Sequence, residues 1–441
     1  MFLWEWLKPG MRIKRWILMG ILGLTVFTLG ITKALFRGPG LDSSLGLYIF
    51  ISLVGIFFMF ISLRYGISSM LNFVSDSSYG KKTPSFKDIF HEQRSLLRGP
   101  RVVAIGGGTG LSTMLRGIKQ YTSNITAIVT VADDGGGSGM LRQSLGMLPP
   151  GDIRNCLVAL ANTEPLMEEL MQYRFTEGDL KGQNFGNLFI AAMNGISVNF
   201  EDAIKKMSDV LAVKGRVYPV TLDDVELHAI LSDGSIVCGE SKIPEECINQ
   251  GLNIEKIYLA PEPKALDDAL FAIKNADCII MGPGSLYTSI LPNLVIEDVA
   301  KEIKSSPAMK IYVSNIMTQP GETTGYRLSD HIEAIEKVCG KGIIDMVIAN
   351  DGYVPDSYFE KYKDDGQEKV IIDTENISRN IMVVFEDLVD LSKGFVRHST
   401  DKLSRVIMTL ILKHTLPKSR KRLLDYYYLA ERLKQNRGEE K

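Results

Sequence analysis

Three glycine-rich segments carry the residues best suited to chemistry: Gly106-Gly107-Gly108-Thr109-Gly110, Gly135-Gly136-Gly137-Ser138-Gly139 and Gly282-Pro283-Gly284. Each closely follows a short apolar run that reads as a strand, and after the first come Leu111, Leu115 and Ile118 at helical spacing. Strand, glycine turn and helix together expose N–H groups beside a helix N-terminus, a combination that binds phosphorylated ligands. A dinucleotide fingerprint is one version of such a site. Gly106 and Gly108 fill its first two positions, but Leu111 stands at the third, where a small residue is required. Asp133, at the end of the next strand, sits where the ribose-binding acid of that site would be. One glycine turn needs no ligand to explain it. Three at strand ends are harder to explain by turn geometry alone.

These turns need a sheet to hold them. Val102 to Ile105 and Ile125 to Val131 read as buried strands, and Lys256 to Leu259 as a strand resuming a parallel alternation. Cys278 to Met281, Ile311 to Ser314 and Met346 to Ala349 each end in a polar or glycine-rich tip. Helical periodicity at Glu164 to Tyr173, Phe185 to Ile196 and Glu201 to Val213 suggests a helical insertion or cover. Helices at Lys264 to Lys274 and Asp330 to Cys339 alternate with the later strands, and Asp152 is expected to N-cap a helix after Pro149-Pro150-Gly151. Asp233-Gly234, between Val225 to Leu231 and Ser235 to Gly239, signals a β-hairpin. The expected fold is α/β: a Rossmann-like, doubly wound, mainly parallel sheet with its site along the C-terminal edge.

The first residues differ in kind. Trp16 to Thr32 is 17 residues without a charge and Ser43 to Leu63 is 21, enough for two transmembrane helices joined at Gly38-Pro39-Gly40. Lys8, Arg12, Lys14 and Arg15 precede the pair, Arg64, Lys81 and Lys82 follow it, and only Lys33 and Arg37 lie between. The positive-inside rule then places the N-terminus and the globular part in the cytoplasm of a multi-pass inner-membrane protein. The expected divisions are a hairpin at 1–66, a linker at 67–100 with a short helix near Ile89 to Leu97, an α/β domain at 101–415 and a basic helical tail at 416–441. A net charge of −2 argues against nucleic acid as a partner. Cys156, Cys238, Cys247, Cys278 and Cys339 include no CxxC pair and read as reduced structural thiols, without a zinc ribbon.

The segments GGGTGLS, VADDGGGSG, PPGDIRNCLVALA, FGN, GPGSLYTSILPNL and NIMTQPGET with DH, in this order, resemble the YvcK family of gluconeogenesis factors. They are more distantly similar to the CofD-type 2-phospho-L-lactate transferases of deazaflavin coenzyme synthesis. The resemblance covers about residues 101–415 and leaves the membrane hairpin outside. It implies a CofD-type fold that binds a UDP-sugar, with UDP-N-acetylglucosamine the best-known ligand class, and a role in cell shape and wall synthesis during gluconeogenic growth. Cell-wall synthesis proteins are then candidate partners, and a homo-oligomer is the expected assembly. The YvcK branch has no established reaction, whereas the CofD branch transfers a phospholactyl group with a divalent metal such as Mg²⁺.

Within that resemblance the residues take roles. Gly107, Gly108, Thr109 and Gly110 suit a nucleotide diphosphate at a helix N-terminus. Asp133 and Asp134 are partners for ribose or sugar hydroxyls, metal ligands in a transferase, or turn acids. Beside Asp152 and Asn155, Arg154 either pairs a phosphate bidentately or forms an ion pair with Asp152 or Asp134. Asn184 and Asn187 offer amides that can read a uracil or a sugar, and Gln183 replaces the family's usual histidine, so no general base is expected there. Gly284, Ser285 and Thr288 form a third anion-friendly helix start, with Asn315, Thr318, Gln319 and Glu322 at the next tip and His331 soon after. Arg397 is a candidate diphosphate clamp, Ser399 or Thr400 an N-cap, and Thr400 also a possible phosphorylation site. In the tail, Lys418, Arg420, Lys421 and Arg422 face either solvent or anionic lipid. Three functional readings follow: a UDP-sugar-binding regulator, a Mg²⁺-dependent transferase, and a nicotinamide oxidoreductase disfavoured by the failed fingerprint.

Overall fold

The computed structural model describes residues 14–36, 45–75, 95–162, 165–355, 358, 362, 366–392, 394–415 and 423–438. The chain forms two compact units, divided between Arg94 and Ser95. In the first unit, α1 (Lys14–Leu35) and α2 (Leu45–Ser75) lie antiparallel. Trp16 stacks on Tyr65 with ring centroids 4.9 Å apart, and the Ser62 hydroxyl donates to the Trp16 carbonyl. Gly23 and Gly55 lie so close that a Cβ at either would collide with backbone of the facing helix. Arg15–Leu35 and Leu45–Gly66 are long and apolar enough to cross a bilayer by length and composition. Helix α2 runs on to Ser75, into the expected linker, because no glycine or proline interrupts the chain between Gly66 and Ser75. The Gly38-Pro39-Gly40 connection and most of that linker lie outside the described residues.

The second unit begins with β1 (Val102–Gly106), α3 (Gly108–Ile118) and β2 (Ile125–Val129). Helices α4 (Gly136–Leu145), α5 (Gly151–Leu160), α6 (Pro165–Gln172), α7 (Phe185–Gly195) and α8 (Phe200–Val210) intervene before β3 (Arg216–Pro219). Next come β4 (Glu226–Leu231), β5 (Ile236–Cys238), α9 (Lys242–Gln250), β6 (Ile254–Ala260), α10 (Asp267–Lys274) and β7 (Cys278–Met281). They are followed by α11 (Leu291–Leu294), α12 (Glu297–Ser305), β8 (Met309–Val313), α13 (Leu328–Cys339) and β9 (Met346–Asn350). The chain closes with β10 (Met382–Glu386), β11 (Val389–Asp390), β12 (Arg397–His398), α14 (Thr400–Thr415) and α15 (Leu423–Gly438).

Seven strands make one sheet in the order β10-β9-β8-β7-β1-β2-β3, and every neighbouring pair in it is parallel. The chain winds outward from β1 through β2 and β3, then returns to the other side of β1 and winds through β7 to β10. The order therefore reverses between β1 and β7, where an open α/β sheet leaves a crevice at its strand C-termini. Each residue of β1 and β7 is buried, which accounts for their unbroken apolar runs. The α4–α8 insertion follows the expected cover, and α14 buries Leu403, Ile407, Leu410 and Ile411. Leu416 and the basic cluster at 418–422 lie outside the described residues.

The strand at Lys256 to Leu259 departs from expectation. As β6 it belongs to a separate antiparallel sheet, β5-β4-β6, inserted between β3 and β7. Its exposed Glu255 and Lys256 beside buried Ile257 and Leu259 are the marks of a sheet with one wet face. The edge strands β3 and β10 were not apparent from pattern: β3 is four residues ending in proline, and β10 is only partly buried.

Candidate functional site

A cavity of about 450 Å³ opens at the reversal point. Gly107, Gly108, Thr109 and Gly110 from the start of α3 form one wall, and Pro283, Gly284 and Ser285 after β7 form a second. Asn315, Thr318 and Gln319 come from the tip of β8, while Phe395 and Arg397 close the remaining side. Gly107 stands at the N-cap of α3 and brings no capping side chain of its own; Asp152 accepts the Gly108 N–H, and Thr109 and Gly110 of the same first turn line the cavity. Gly110 must be glycine, since a Cβ there would strike the Pro283 carbonyl. Opposite, the Arg397 guanidinium lies 5.6 Å from the Phe395 ring centroid. The Gln319 amide donates to the Ser285 hydroxyl at 2.6 Å, tying two walls together.

Behind the Gly107 wall lies an acidic ledge. Asp152 accepts the Gly108 N–H, and burial pushes its carboxyl up to about 6. Asp133 accepts the Gly135 N–H at 3.0 Å and is also raised, chiefly by burial. Glu240 is driven up to about 8 by burial and then by Asp133, Glu322, Asp134 and Asp152. Asp134 turns the other way and accepts the Ser241 N–H at 2.9 Å. The adjacent pair Asp133 and Asp134 thus diverges rather than forming one chelate.

The description "2-phospho-L-lactate transferase CofD" belongs to the family that matches residues 102–389. The "Gluconeogenesis factor" of Bacillus subtilis is 45% identical over 315 residues, 71% of this chain and 98% of that protein. The chain belongs to the CofD family, among its gluconeogenesis factors. A relative in Clostridium acetobutylicum is 48% identical over 99% of this chain and 98% of its own length, so the match there takes in the N-terminal helices as well. A crystal structure of a UPF0052-family protein from Bacillus halodurans superposes with a TM-score of 0.67, at 45% identity, over 70% of this chain and 99% of that one.

Of the residues that the sequence marks in this gluconeogenesis factor, Gly107, Gly108, Thr109, Gly110, Gly284, Ser285, Asn315, Thr318, Gln319 and Arg397 line the cavity. The others do different work. Asp152 is not an N-cap: the helix starts two residues early, with Pro150 at the cap position, so Asp152 falls inside the first turn and reaches across to Gly108. Arg154 pairs with neither Asp152 nor Asp134; it donates to Asn187 at 2.7 Å and to Asn155 at 2.8 Å. Asn184 caps α7 by accepting the Asn187 N–H and donates to the Gln172 carbonyl, which uses both ends of its amide. Asn187 in turn donates to Ser138.

The third helix start is already filled by a carboxylate. Glu322 is 7% exposed and accepts the Tyr287 N–H at 3.1 Å and the Thr288 hydroxyl at 3.2 Å. Thr288 is accordingly spent on Glu322, and the contribution of this turn to the cavity is confined to Pro283–Ser285 and Ser289. His331 is fully buried and bonded to the Arg327 carbonyl, away from the cavity walls. Ser399 is the N-cap of α14, accepting the Lys402 N–H at 3.4 Å. Pattern reading missed Glu240, Tyr362 and Phe395, none of which lies in the three glycine-rich segments. The fold alone brings them to the site.

Proposed function

We propose that this gluconeogenesis factor binds a UDP-sugar of the UDP-N-acetylglucosamine type in the cavity between β1 and β7. One observation carries the reading: a glycine-capped helix start, with only its Gly108 N–H taken by Asp152, faces an arginine across a cleft at the topological switch point. The α3 N–H groups and the Arg397 guanidinium suit the two ends of a diphosphate. Phe395 offers a ring to a base, and the amides of Asn315 and Gln319 suit sugar hydroxyls. The cavity volume falls in the range of small-ligand clefts, about 300–1,000 Å³.

The protein acts, in this reading, as a membrane-anchored cytoplasmic regulator of cell shape and wall synthesis during gluconeogenic growth. Arg15 and Arg64 lie beside the stacked Trp16 and Tyr65 at one end of the helix pair. Basic and aromatic residues at the same end support a hairpin with that end at the inner membrane face. The acidic ledge of Asp133, Asp152 and Glu240 favours a second reading, a CofD-like Mg²⁺-dependent transferase.

The test is calorimetric titration of the full-length protein in detergent with UDP-N-acetylglucosamine. Binding is expected without added metal, and Arg397→Ala should weaken it about 10–100-fold, the loss of one charge-assisted contact. Absence of binding to any UDP-sugar overturns the proposal, and binding only with Mg²⁺ favours the transferase.

A further inference from the structure

Away from the cavity, three metal-ligating side chains meet on the β4–β5 hairpin. Glu226 and His228 stand two residues apart on β4 and so share one face of the sheet. Cys238 lies directly opposite His228 across the antiparallel ladder, on that same face. The Cys238 Sγ is 3.2 Å from His228 Nδ1, and a Glu226 carboxylate oxygen is 3.2 Å from Nε2. One ligand atom from each residue falls within 4.8 Å of the other two. From β6, Tyr258 pairs with His228 and sets its ring centroid 5.0 Å from the imidazole's, restricting how the imidazole can turn.

We propose that Glu226, His228 and Cys238 form a binding site for a borderline-soft divalent cation of the zinc class. A thiolate, an imidazole and a carboxylate make the mixed donor set that such cations take. With Zn–S near 2.3 Å and Zn–N near 2.0 Å, a tetrahedral ion holds its ligands about 3.5 Å apart. Cys238 now meets Nδ1 and Glu226 meets Nε2, so an ion bound through one ring nitrogen draws the other side chain toward it from within 4.8 Å. Cys238 is exposed, so the fourth position opens to solvent. This separates it from Cys156, Cys247 and Cys278, which are buried as structural thiols should be. Directly after Cys238, Gly239 packs against the Asp134 carboxylate and Ser241 donates to it. A cation on the hairpin therefore secures the strand end that delivers Gly239 to Ser241 to the acidic ledge.

The test is a cobalt(II) titration of the full-length protein, purified free of metal in detergent. Stoichiometric Co²⁺ should produce thiolate-to-cobalt charge transfer in the near ultraviolet and intense visible bands of a tetrahedral site, both erased by Zn²⁺. Cys238→Ser should abolish the charge-transfer band, and His228→Gln or Glu226→Gln should each weaken cobalt binding about 10-fold or more. Cys339→Ser should leave the spectrum unchanged. Circular dichroism of Cys238→Ser should match the parent, which separates loss of the site from loss of the fold. The proposal is overturned if the parent gives no charge-transfer band or if the band survives Cys238→Ser. It is equally overturned if Cys238 alkylates with iodoacetamide at a rate that Co²⁺ does not slow. UDP-sugar binding at the cavity is measured independently, so either result stands without the other.

Discussion

Replacing Glu322 by glutamine should make the globular unit more stable at alkaline pH. Glu322 is buried and accepts the Tyr287 N–H and the Thr288 hydroxyl at the start of the turn after Gly284. Burial pushes its carboxyl from 4.5 up to about 7. A carboxyl with a raised folded-state value binds its proton more tightly folded than unfolded. Its contribution is therefore greatest below about 4.5 and is lost as pH rises through about 7. The shift of 7 minus 4.5 corresponds to about 3 kcal/mol between the protonated and charged forms.

Glutamine keeps the shape, with its oxygen accepting the Tyr287 N–H and its amide donating to the Thr288 oxygen, and gives up only the bond from the Thr288 N–H. Removing the charge also relieves Glu240, which feels Glu322 directly, so the neighbour shifts the result in the same direction. Urea unfolding of residues 95–441, the unit that packs by itself, gives the assay at pH 5 and pH 8. Glu322→Gln should exceed the parent by about 2–3 kcal/mol at pH 8 and by little at pH 5. Parallel pH profiles for parent and variant would refute the reasoning, because they would show that Glu322 carries no cost when charged.

Gly107→Ala places a Cβ against the Asp152 carboxylate and Thr130; it should cost about 1–3 kcal/mol by overpacking and weaken UDP-N-acetylglucosamine in calorimetry. Unchanged affinity would remove the α3 start from the site. His398, buried with Nε2–H donating to the Ser314 carbonyl at 3.1 Å, is held down to about 4 by burial. Its neutral form stabilises the fold above the unfolded value of about 6.5, and that contribution is lost as pH falls towards 4. His398→Gln should therefore flatten the acid limb of a melting-temperature profile between pH 6.5 and 4, and a limb of unchanged slope would count against this.

Much of the site was legible in the chain because its signals are local. A glycine run after an apolar strand dictates a turn with free N–H groups wherever it folds, so Gly107 to Gly110 and Gly284 to Ser285 were readable without neighbours. The two apolar segments near the N-terminus were readable for the same reason, as length and composition alone define them.

Only the tertiary structure decided which partners the polar groups take. Asn184, Arg154, Thr288 and Asp152 each form a hydrogen bond with a group from another segment that the sequence does not place beside them. Buried polar groups must be satisfied, and which neighbour satisfies them depends on packing between distant parts of the chain. Likewise β6 looked parallel until its partner β4 fixed it as antiparallel. Glu226, His228 and Cys238 become one cluster only through the β4–β5 register. Residue type sets what a side chain can bind; the fold sets what it is still free to bind.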